Sequence, residues 1–527
     1  MDCNHEVVYN GLCALCGSDV ESSEGQTHIN MSHDSRGITV SRQEAERLEK
    51  ENAERLLSSR KLSLILDLDQ TVVHATWDPT VGEWMNDENN ANHPATKDIR
   101  KFTLPGSHFV YYIKLRPGLS EFLETVSKLY ELHIYTMGTR HYAEAVAREI
   151  DSTGKLFRNR ILSRDESGSV TQKKIQRLFP CDTSMVVVLD DRSDVWSFSP
   201  NLIRIKPYEF FVGTGDINSP FAPRQPPDQD TLAKVKPLPL PETKTENEKE
   251  NLESKGDDEE DEEEEQEDES TRKKALDQQE KLQEAMAQEQ QEARPLAQQQ
   301  STQDRPLLVD DDRELYTMIE ILKEIHQRFY NDEGRYERSK TDGAGSLQPK
   351  PDVTALMPAM KKKVLEGVHI VFTGLIPQHQ TLSSSAIWQL AESFGATCLP
   401  DLTGNVTHVV AARAGTDKVH RAQRIPNVHI VSEAWLSDST ARWKKQDEAQ
   451  YALPELAQAA NEVENPESTP LEFDDEEKST MQLMRAGPTW VTPIPRPAPR
   501  RSCPEKERGN GRQTQRRNPL HLGHSHH

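Results

Sequence analysis

At 527 residues the chain is too long for one ordinary core. Its hydrophobic fraction of 34%, beside 29% charged residues and 32 prolines, falls below a globular average even with 25 glycines added, so two or more domains joined by long disordered linkers are expected. No run approaches the ~18 apolar residues of a membrane span, Met1–Gly17 has no apolar signal core, and six cysteines cannot form a disulfide scaffold, which together point to a soluble protein of a reducing, intracellular compartment.

The net charge of −23 is unevenly spread: from Asp257 to Glu269 only Gln266 is not acidic, and the block supplies twelve negative charges. Such a run repels itself and stays extended, as a solvating spacer or as a docking tail for a basic partner. No dense basic patch interleaved with aromatics appears in the regions expected to fold, so direct nucleic-acid binding is not expected.

Residues 1–20 carry Cys3, His5, Cys13 and Cys16, a C-x-H followed by C-x2-C. Three thiols and an imidazole can close a tetrahedral Zn²⁺ site on a segment with no core of its own; the alternative is unliganded cysteines in a frayed end. Residues 41–60 read as a polar helical lead-in, Ser41–Ser58, with Leu48, Leu56 and Leu57 as its few apolar contacts. The first compact domain, 61–215, opens with LSLIL, an apolar run suited to a strand buried on both faces. An Asn- and Asp-rich excursion, Trp77–Ser107, suggests an inserted loop or small hairpin. Phe109–Leu115 is strand-like, Arg116-Pro117-Gly118 punctuates it, and Leu119, Phe122, Leu123 and Val126 form the stripe of a helix. Leu132–Thr136, Met185–Asp191 and Leu202–Ile205 complete the strands, with a helical stretch at Tyr142–Ile150. Strands alternating with helices indicate an α/β domain with a mostly parallel sheet.

Proline and charge dominate 216–302, read as a disordered acidic linker. Within 303–335, Leu315, Met318, Ile319, Leu322, Ile325 and Phe329 recur at helical spacing over Arg313–Tyr330, and that apolar face must be buried, most simply against a neighbouring domain. A second compact unit spans 361–452: a strand in Lys363–Phe372, a helix Ala386–Phe394 stopped by Gly395, a strand Val406–Ala411, and a strand-then-helix Asn427–Leu436 bearing Trp435. Residues 453–527, with His521, His524, His526 and His527 at the end, are read as a disordered tail.

The chemistry is concentrated in Asp67-Leu68-Asp69-Gln70-Thr71, directly after the first buried strand. In an open parallel sheet, ligands sit beyond the carboxyl ends of the strands. Two acids one residue apart can point the same way, one attacking phosphorus while the other handles a proton. A second strand ends in Asp190-Asp191. Four carboxylates in one crevice repel unless a cation compensates, and hard oxygen ligands suit Mg²⁺. A lone D-x-D-x-T is more often a turn or helix cap; two strand-end acid pairs are not.

DLDQT, Thr136 in YTMG, Ser163–Gly168 (SRDESG), Lys173 and Leu189–Trp196 (LDDRSDVW) resemble the haloacid dehalogenase-type phosphatases. More narrowly they resemble the FCP branch of the FCP/SCP phosphatases, which act on the RNA polymerase II carboxy-terminal domain. The resemblance covers about Leu62–Gly213 and implies a Rossmann-like phosphatase fold. It implies Asp67 as the nucleophile that forms a phosphoaspartyl intermediate, and Asp69 as the acid and later the base. Mg²⁺ would be held by Asp67, the Asp69 main-chain carbonyl and Asp190. Thr136 and Lys173 would hold the phosphoryl oxygens with support from Asp191, and Arg116 and Arg164 match family arginines near the site. Lys174 rivals Lys173, because adjacent residues on a helix are not separated by spacing.

The second unit resembles a BRCT domain, with Gly395-Ala396 and Trp435 at signature positions, Trp435 more simply as core packing. Thr373 and Lys418 sit where phosphopeptide-binding BRCT modules grip phosphate. The family resemblance implies a Mg²⁺-dependent serine/threonine phosphatase of the nucleus whose partners are the phosphorylated polymerase tail and TFIIF. The docking segment nearest to the family's is Leu471–Glu477, followed here by an atypical basic end. The alternative is a catalytically silent phosphopeptide-binding scaffold.

Overall fold

The computed structural model describes residues 3–20, 28–31, 33, 37–169, 171–218, 269–301, 306–341, 349–377 and 379–453. The acidic run up to residue 268, the segment 471–477 and the rest of the tail from 454 lie outside the described residues.

The chain opens with a small antiparallel sheet. Strand β1 (Val7–Tyr9) turns into β2 (Leu12–Cys13) through Asn10-Gly11, both at positive φ (47° and 82°), as a type I′ hairpin requires. Strands β3 (His28–Ile29) and β4 (Ile38–Ser41) complete the order β2-β1-β4-β3. The lead-in helix α1 runs Arg42–Ser59, capped by the Ser41 hydroxyl, which accepts the Glu44 amide at 3.2 Å.

The first compact domain is built on β5 (Leu62–Leu66), followed by β6 (Val73–Thr76), α2 (Thr80–Asn86), β7 (Arg100–Thr103), β8 (Val110–Leu115), α3 (Leu119–Leu129), β9 (Tyr130–Tyr135), α4 (Arg140–Ile150), β10 (Ile161–Leu162), α5 (Arg164–Ser167), β11 (Val186–Asp190) and β12 (Leu202–Arg204). Five of these strands form an all-parallel sheet, β10-β9-β5-β11-β12. Both central strands, β5 and β11, are buried throughout, which explains runs that are apolar except for Ser63 up to the terminal Asp190. Their register pairs Leu66 with Leu189, and the Asp67 amide donates to the Leu189 carbonyl at 3.0 Å, so Asp67 and Asp190 emerge side by side.

Phe109–Leu115 does not join that sheet. It forms β8, the centre of an antiparallel three-stranded sheet β6-β8-β7 that carries the inserted region. Strand β6 follows β5 after residues 67–72 alone, too few for the dozen or more of a parallel crossover, and it pairs antiparallel with β8 instead.

The linker expected over 216–302 is helical where it is described after residue 268. Helices α6 (Glu269–Ala293) and α7 (Pro295–Ser301) dock on the insertion. The docking uses few apolar groups, chiefly Ala287 and Leu296. Polar contacts do the rest: the Gln290 side-chain oxygen accepts from the Thr76 hydroxyl (3.0 Å) and the Trp77 amide (3.1 Å). A glutamine-rich helix held this way has no apolar stripe to announce it.

Helix α8 (Glu314–Thr341) is longer than its stripe suggested. Its buried face, Leu315 to Phe329, merges with the core of the first domain beside α3 and the following helix α9 (Val353–Lys361). The second unit is a parallel four-stranded sheet, β14-β13-β15-β16, made of β13 (His369–Thr373), β14 (Thr397–Leu399), β15 (His408–Ala411) and β16 (His429–Ser432), with α10 (Ala386–Ser393), α11 (Asp417–Ala422) and α12 (Glu433–Ala441). Gly395 is required on two counts: its φ is 93°, and a Cβ there would lie 1.8 Å from the Lys362 carbonyl oxygen. Trp435 is fully buried and stacks on His408 at 4.5 Å between ring centroids, a packing role.

Candidate active site

The carboxyl ends of β5 and β11 bring Asp67, Asp190 and Asp191 together. All three are buried, and each places a carboxylate oxygen within 4.8 Å of the others. The Lys173 ammonium lies between two of them, 2.7 Å from Asp67 and 2.6 Å from Asp190. Lys173 precedes a short helical turn at Ile175–Arg177 on extended chain, so alternation turns Lys173 inward and Lys174 out to solvent. The choice between neighbours was open in the sequence only because both were placed on a helix.

Asp190 is the more heavily hydrogen-bonded of the strand-end pair. One oxygen accepts from Lys173 and the Trp196 indole (2.8 Å), the other from the Arg192 amide (2.8 Å). Asp191 is freer: among the described residues its carboxylate accepts a hydrogen bond from the Thr71 hydroxyl alone, at 3.2 Å. By hydrogen-bond occupancy Asp191 keeps more spare acceptor capacity than Asp190, and both lie within reach of an ion shared with Asp67.

Asp69 is held from both sides. Tyr142 of α4 donates to one oxygen at 2.5 Å and the Asn218 amide to the other at 2.7 Å. Thr136, just past β9, lines the same cleft, whose volume is about 270 Å³ including its open mouth. Arg192, Asp216 and Asn218 also line it.

Electrostatics follow from this crowding. Burial and the Asp190 charge push the Asp67 carboxyl up to about 7 against the pull of Lys173. Burial and the Asp67 charge push Asp69 up to about 7 against its two donors. Asp216 is likewise pushed up to about 7, by burial and by Asp69, and Asp191 is raised by burial, Asp190 and Asp67. Burial disfavours the Lys173 charge, but the two facing carboxylates outweigh it and hold the ammonium protonated. One lysine among so many buried carboxyls leaves negative charge uncompensated. A hard divalent cation fits this all-oxygen donor set.

The two arginines part company. Arg116 does not face the cleft: its guanidinium is buried, pairs with Asp312 through two 2.8 Å bonds, and donates to the carbonyls of Thr71 (2.9 Å) and Lys206 (2.8 Å). All its donors are spent on fastening the Gln70-Thr71 turn, where Gln70 has a positive φ of 53°. Family resemblance puts Arg116 near the site; here it fastens this turn and does not line the cleft. Arg164 is buried at the start of α5 with a single weak side-chain contact, to Gln283 of α6 at 3.4 Å, and its Nε has no partner among the described residues.

Asp216, Asn218 and Tyr142 were not expected at the site, and the domain boundary at 215 cut just before two of them. The only local signs were Gly213 and Gly215 preceding Asp216-Ile217-Asn218, since no periodicity marks a loop that folds back on a strand end. Elsewhere, Cys3, His5, Cys13 and Cys16 converge within 4.8 Å. In the second unit, the Lys418 ammonium donates to the carbonyls of Phe372 (3.3 Å) and Pro400 (2.7 Å), which places it next to Thr373 at the end of β13.

Residues 62–218 match the NLI interacting factor-like phosphatase family, and 360–440 match the BRCA1 C-terminal (BRCT) domain. The chain is 42% identical over 486 residues to a Schizosaccharomyces pombe protein named as an RNA polymerase II C-terminal domain phosphatase, covering 86% of this chain and 66% of that protein. It is 37% identical over 489 residues to the Saccharomyces cerevisiae protein of the same name, covering 86% and 65%. The chain thus spans just under two thirds of the length of these relatives. A solved structure of Fcp1, described as an essential RNA polymerase II CTD phosphatase, is matched at 41% identity with a TM-score of 0.62, over 77% of this chain and 100% of that one. A variant of fission yeast Fcp1 bound to beryllium fluoride is matched at 42% identity, the same TM-score and the same coverage. By sequence, domain pairing and fold, the chain belongs to the Fcp1-type family of RNA polymerase II CTD phosphatases.

Proposed function

We propose that the chain hydrolyses phosphoserine and phosphothreonine in the heptad repeats of the largest RNA polymerase II subunit, in the nucleus, with Mg²⁺ held at the cleft. The observation that carries this reading is the pairing of Asp67 and Asp69 at one strand end, with Lys173 lodged between Asp67 and Asp190. Asp67, Asp190, Asp191 and, by family resemblance, the Asp69 main-chain carbonyl would hold the metal. Bound there, Mg²⁺ supplies positive charge that offsets repulsion between a phosphate dianion and the attacking carboxylate.

The chain's own groups account for the rest. An Asp67 oxygen attacks phosphorus as the bond to the seryl oxygen breaks, and Asp69 donates its proton to that oxygen. A carboxyl pushed up to about 7 is protonated in about half of the molecules at neutral pH. Water then attacks the phosphoaspartate, Asp69 takes a proton from it, and Asp67 and inorganic phosphate are released. Lys173 and Thr136 hold phosphoryl oxygens, and the buried Arg164 Nε, without a partner among the described residues, is available for an anion. Phosphate release from a phosphoserine heptad peptide with Mg²⁺ tests the reading: Asp67→Asn should abolish it, and equal release from both proteins, or none from the wild type, would sink it.

Thr373 and Lys418 are proposed to grip a phosphorylated heptad in the BRCT unit, with the ammonium exchanging its carbonyl partners for phosphate. Joint replacement by alanine should weaken phosphopeptide binding to a catalytically inert Asp67→Asn chain about tenfold; unchanged affinity would end the idea. A TFIIF partner rests on family resemblance alone. The amino-terminal thiols take no part in this reaction.

A further inference from the structure

The Cys3, His5, Cys13 and Cys16 cluster lies outside the phosphatase chemistry, and its geometry is that of a closed tetrahedral site. The Cys3 and Cys13 sulfurs are 3.6 Å apart, and the Cys16 sulfur is 3.5 Å from His5 Nδ1. A tetrahedral Zn²⁺ with bonds of about 2.3 Å to sulfur and about 2.0 Å to nitrogen has edges of about 3.8 Å between sulfurs and about 3.5 Å between sulfur and nitrogen. Two opposite edges of that tetrahedron are therefore already near their liganded lengths, and all four donor atoms fall within 4.8 Å. The sulfur separation is also far beyond a covalent disulfide of about 2.0 Å.

The local fold delivers these donors. The Asn10-Gly11 turn folds β2 back on β1, placing Cys13 opposite Val8. Beyond it the Gly17 amide donates to the Cys13 carbonyl at 2.9 Å, with Gly17 at a φ of 74°, closing the turn that carries Cys16. The Leu15 amide points at the Cys13 sulfur at 3.4 Å, an N–H···S contact of the kind that orients a metal-bound thiolate.

Packing alone does not explain this order. The buried core here is Val8, Cys13 and Val20, with Cys3 partly buried, while Tyr9, Leu12 and Leu15 are exposed. Three small buried side chains cannot offset the backbone entropy lost in ordering the described residues 3–20. We propose that Cys3, His5, Cys13 and Cys16 bind one structural Zn²⁺ ion that holds the amino-terminal sheet together. Four protein ligands leave no open position, so the ion is structural and not catalytic. Its mechanical target is the start of α1: β1 pairs with β4, and the Ser41 amide at the cap of α1 donates to the Glu6 carbonyl at 2.9 Å.

The test uses the full chain, purified without chelator. Elemental analysis should find one zinc per chain, and the Co²⁺-substituted protein should show sulfur-to-cobalt charge transfer, a signature that the all-oxygen Asp67 cleft does not give. Cys16→Ser, at an exposed thiol, and His5→Ala should each weaken zinc retention at least tenfold, whereas Cys181→Ser and Cys398→Ser should keep it. Chelation should speed hydrogen exchange of β1 and β4 amides, and returning zinc should restore their protection. Wild-type chain that neither carries nor takes up zinc, or zinc held undiminished by the Cys16→Ser, His5→Ala double variant, overturns the proposal. Neither result depends on the phosphatase assay.

Discussion

Both oxygens of Asp69 are tied to uncharged donors, Tyr142 and Asn218, and this sets what the residue can do. The donors favour the ionised carboxylate, burial and Asp67 favour the acid, and the balance stands at about 7. If Asp69 gives a proton in the first step, the alkaline limb of kcat/KM reports its ionisation. Tyr142→Phe removes one donor to the charged form, so Asp69 holds its proton to higher pH. A hydrogen bond to a charged group contributes about 1.5–3 kcal/mol, and one pH unit is about 1.4 kcal/mol. The alkaline limb should therefore move up by about one to two units, with KM little altered. A pH–rate profile whose alkaline limb coincides with that of the wild type would detach Tyr142 from the proton transfer.

At the level of elements, the site depends on a loop that no strand carries. Asp216 and Asn218 arrive on the chain after β12, and that chain is pinned by one buried histidine. His74 of β6 accepts the Phe210 and Phe211 amides at Nδ1 (2.9 and 3.1 Å) and faces the Gly215 carbonyl through Nε2 (3.3 Å). Nδ1 must be unprotonated to accept, and burial holds the imidazole down at about 4. The unfolded imidazole titrates near about 6.5, so between about pH 6.5 and 4 the unfolded chain binds the extra proton. Stability from this group is complete above about 6.5 and is lost as pH falls through that window, by at most about 1.4 kcal/mol per pH unit. Hydrogen exchange should show the Phe210 and Phe211 amides losing protection between about pH 6.5 and about pH 5. Protection that is flat over that range would remove His74 as the fastener.

Across the entire chain, α8 ties the two folded units. Its apolar face completes the phosphatase core, the Tyr130 hydroxyl donates to the Leu322 carbonyl (2.8 Å), and the Tyr330 hydroxyl donates to the Lys61 carbonyl (2.7 Å). At its start Glu314 meets Arg442 of the BRCT unit at 3.3 Å, and Lys206 of the phosphatase core pairs with Asp438. Phe329 is buried in this seam, so Phe329→Ala should cost about 3–5 kcal/mol in chemical denaturation and leave kcat of the folded fraction nearly unchanged. A loss below about 1 kcal/mol would show that α8 does not complete the core.

The order of amino acids is sufficient for chemistry confined to short stretches. An apolar run ending in Asp67 and another ending in Asp190 identify two buried parallel strands, because only such strands avoid alternating polarity, and their ends carry the acids. The stripe Leu315–Phe329 and the stop at Gly395 are equally local, each set by helical spacing or by one backbone angle. Everything else had to wait for the folded chain. Whether Lys173 or Lys174 points inward depends on an extended approach, and whether Asp190 or Asp191 keeps a free oxygen depends on Trp196 and Arg192. Arg116 turns from the cleft because Asp312, far along the chain, claims its fork. Asp216 and Asn218 reach Asp69 only through loop closure, and α6 docks by glutamine side chains. These are long-range hydrogen bonds between polar groups, and a one-dimensional pattern of apolar residues carries no record of which distant partner a polar side chain will meet.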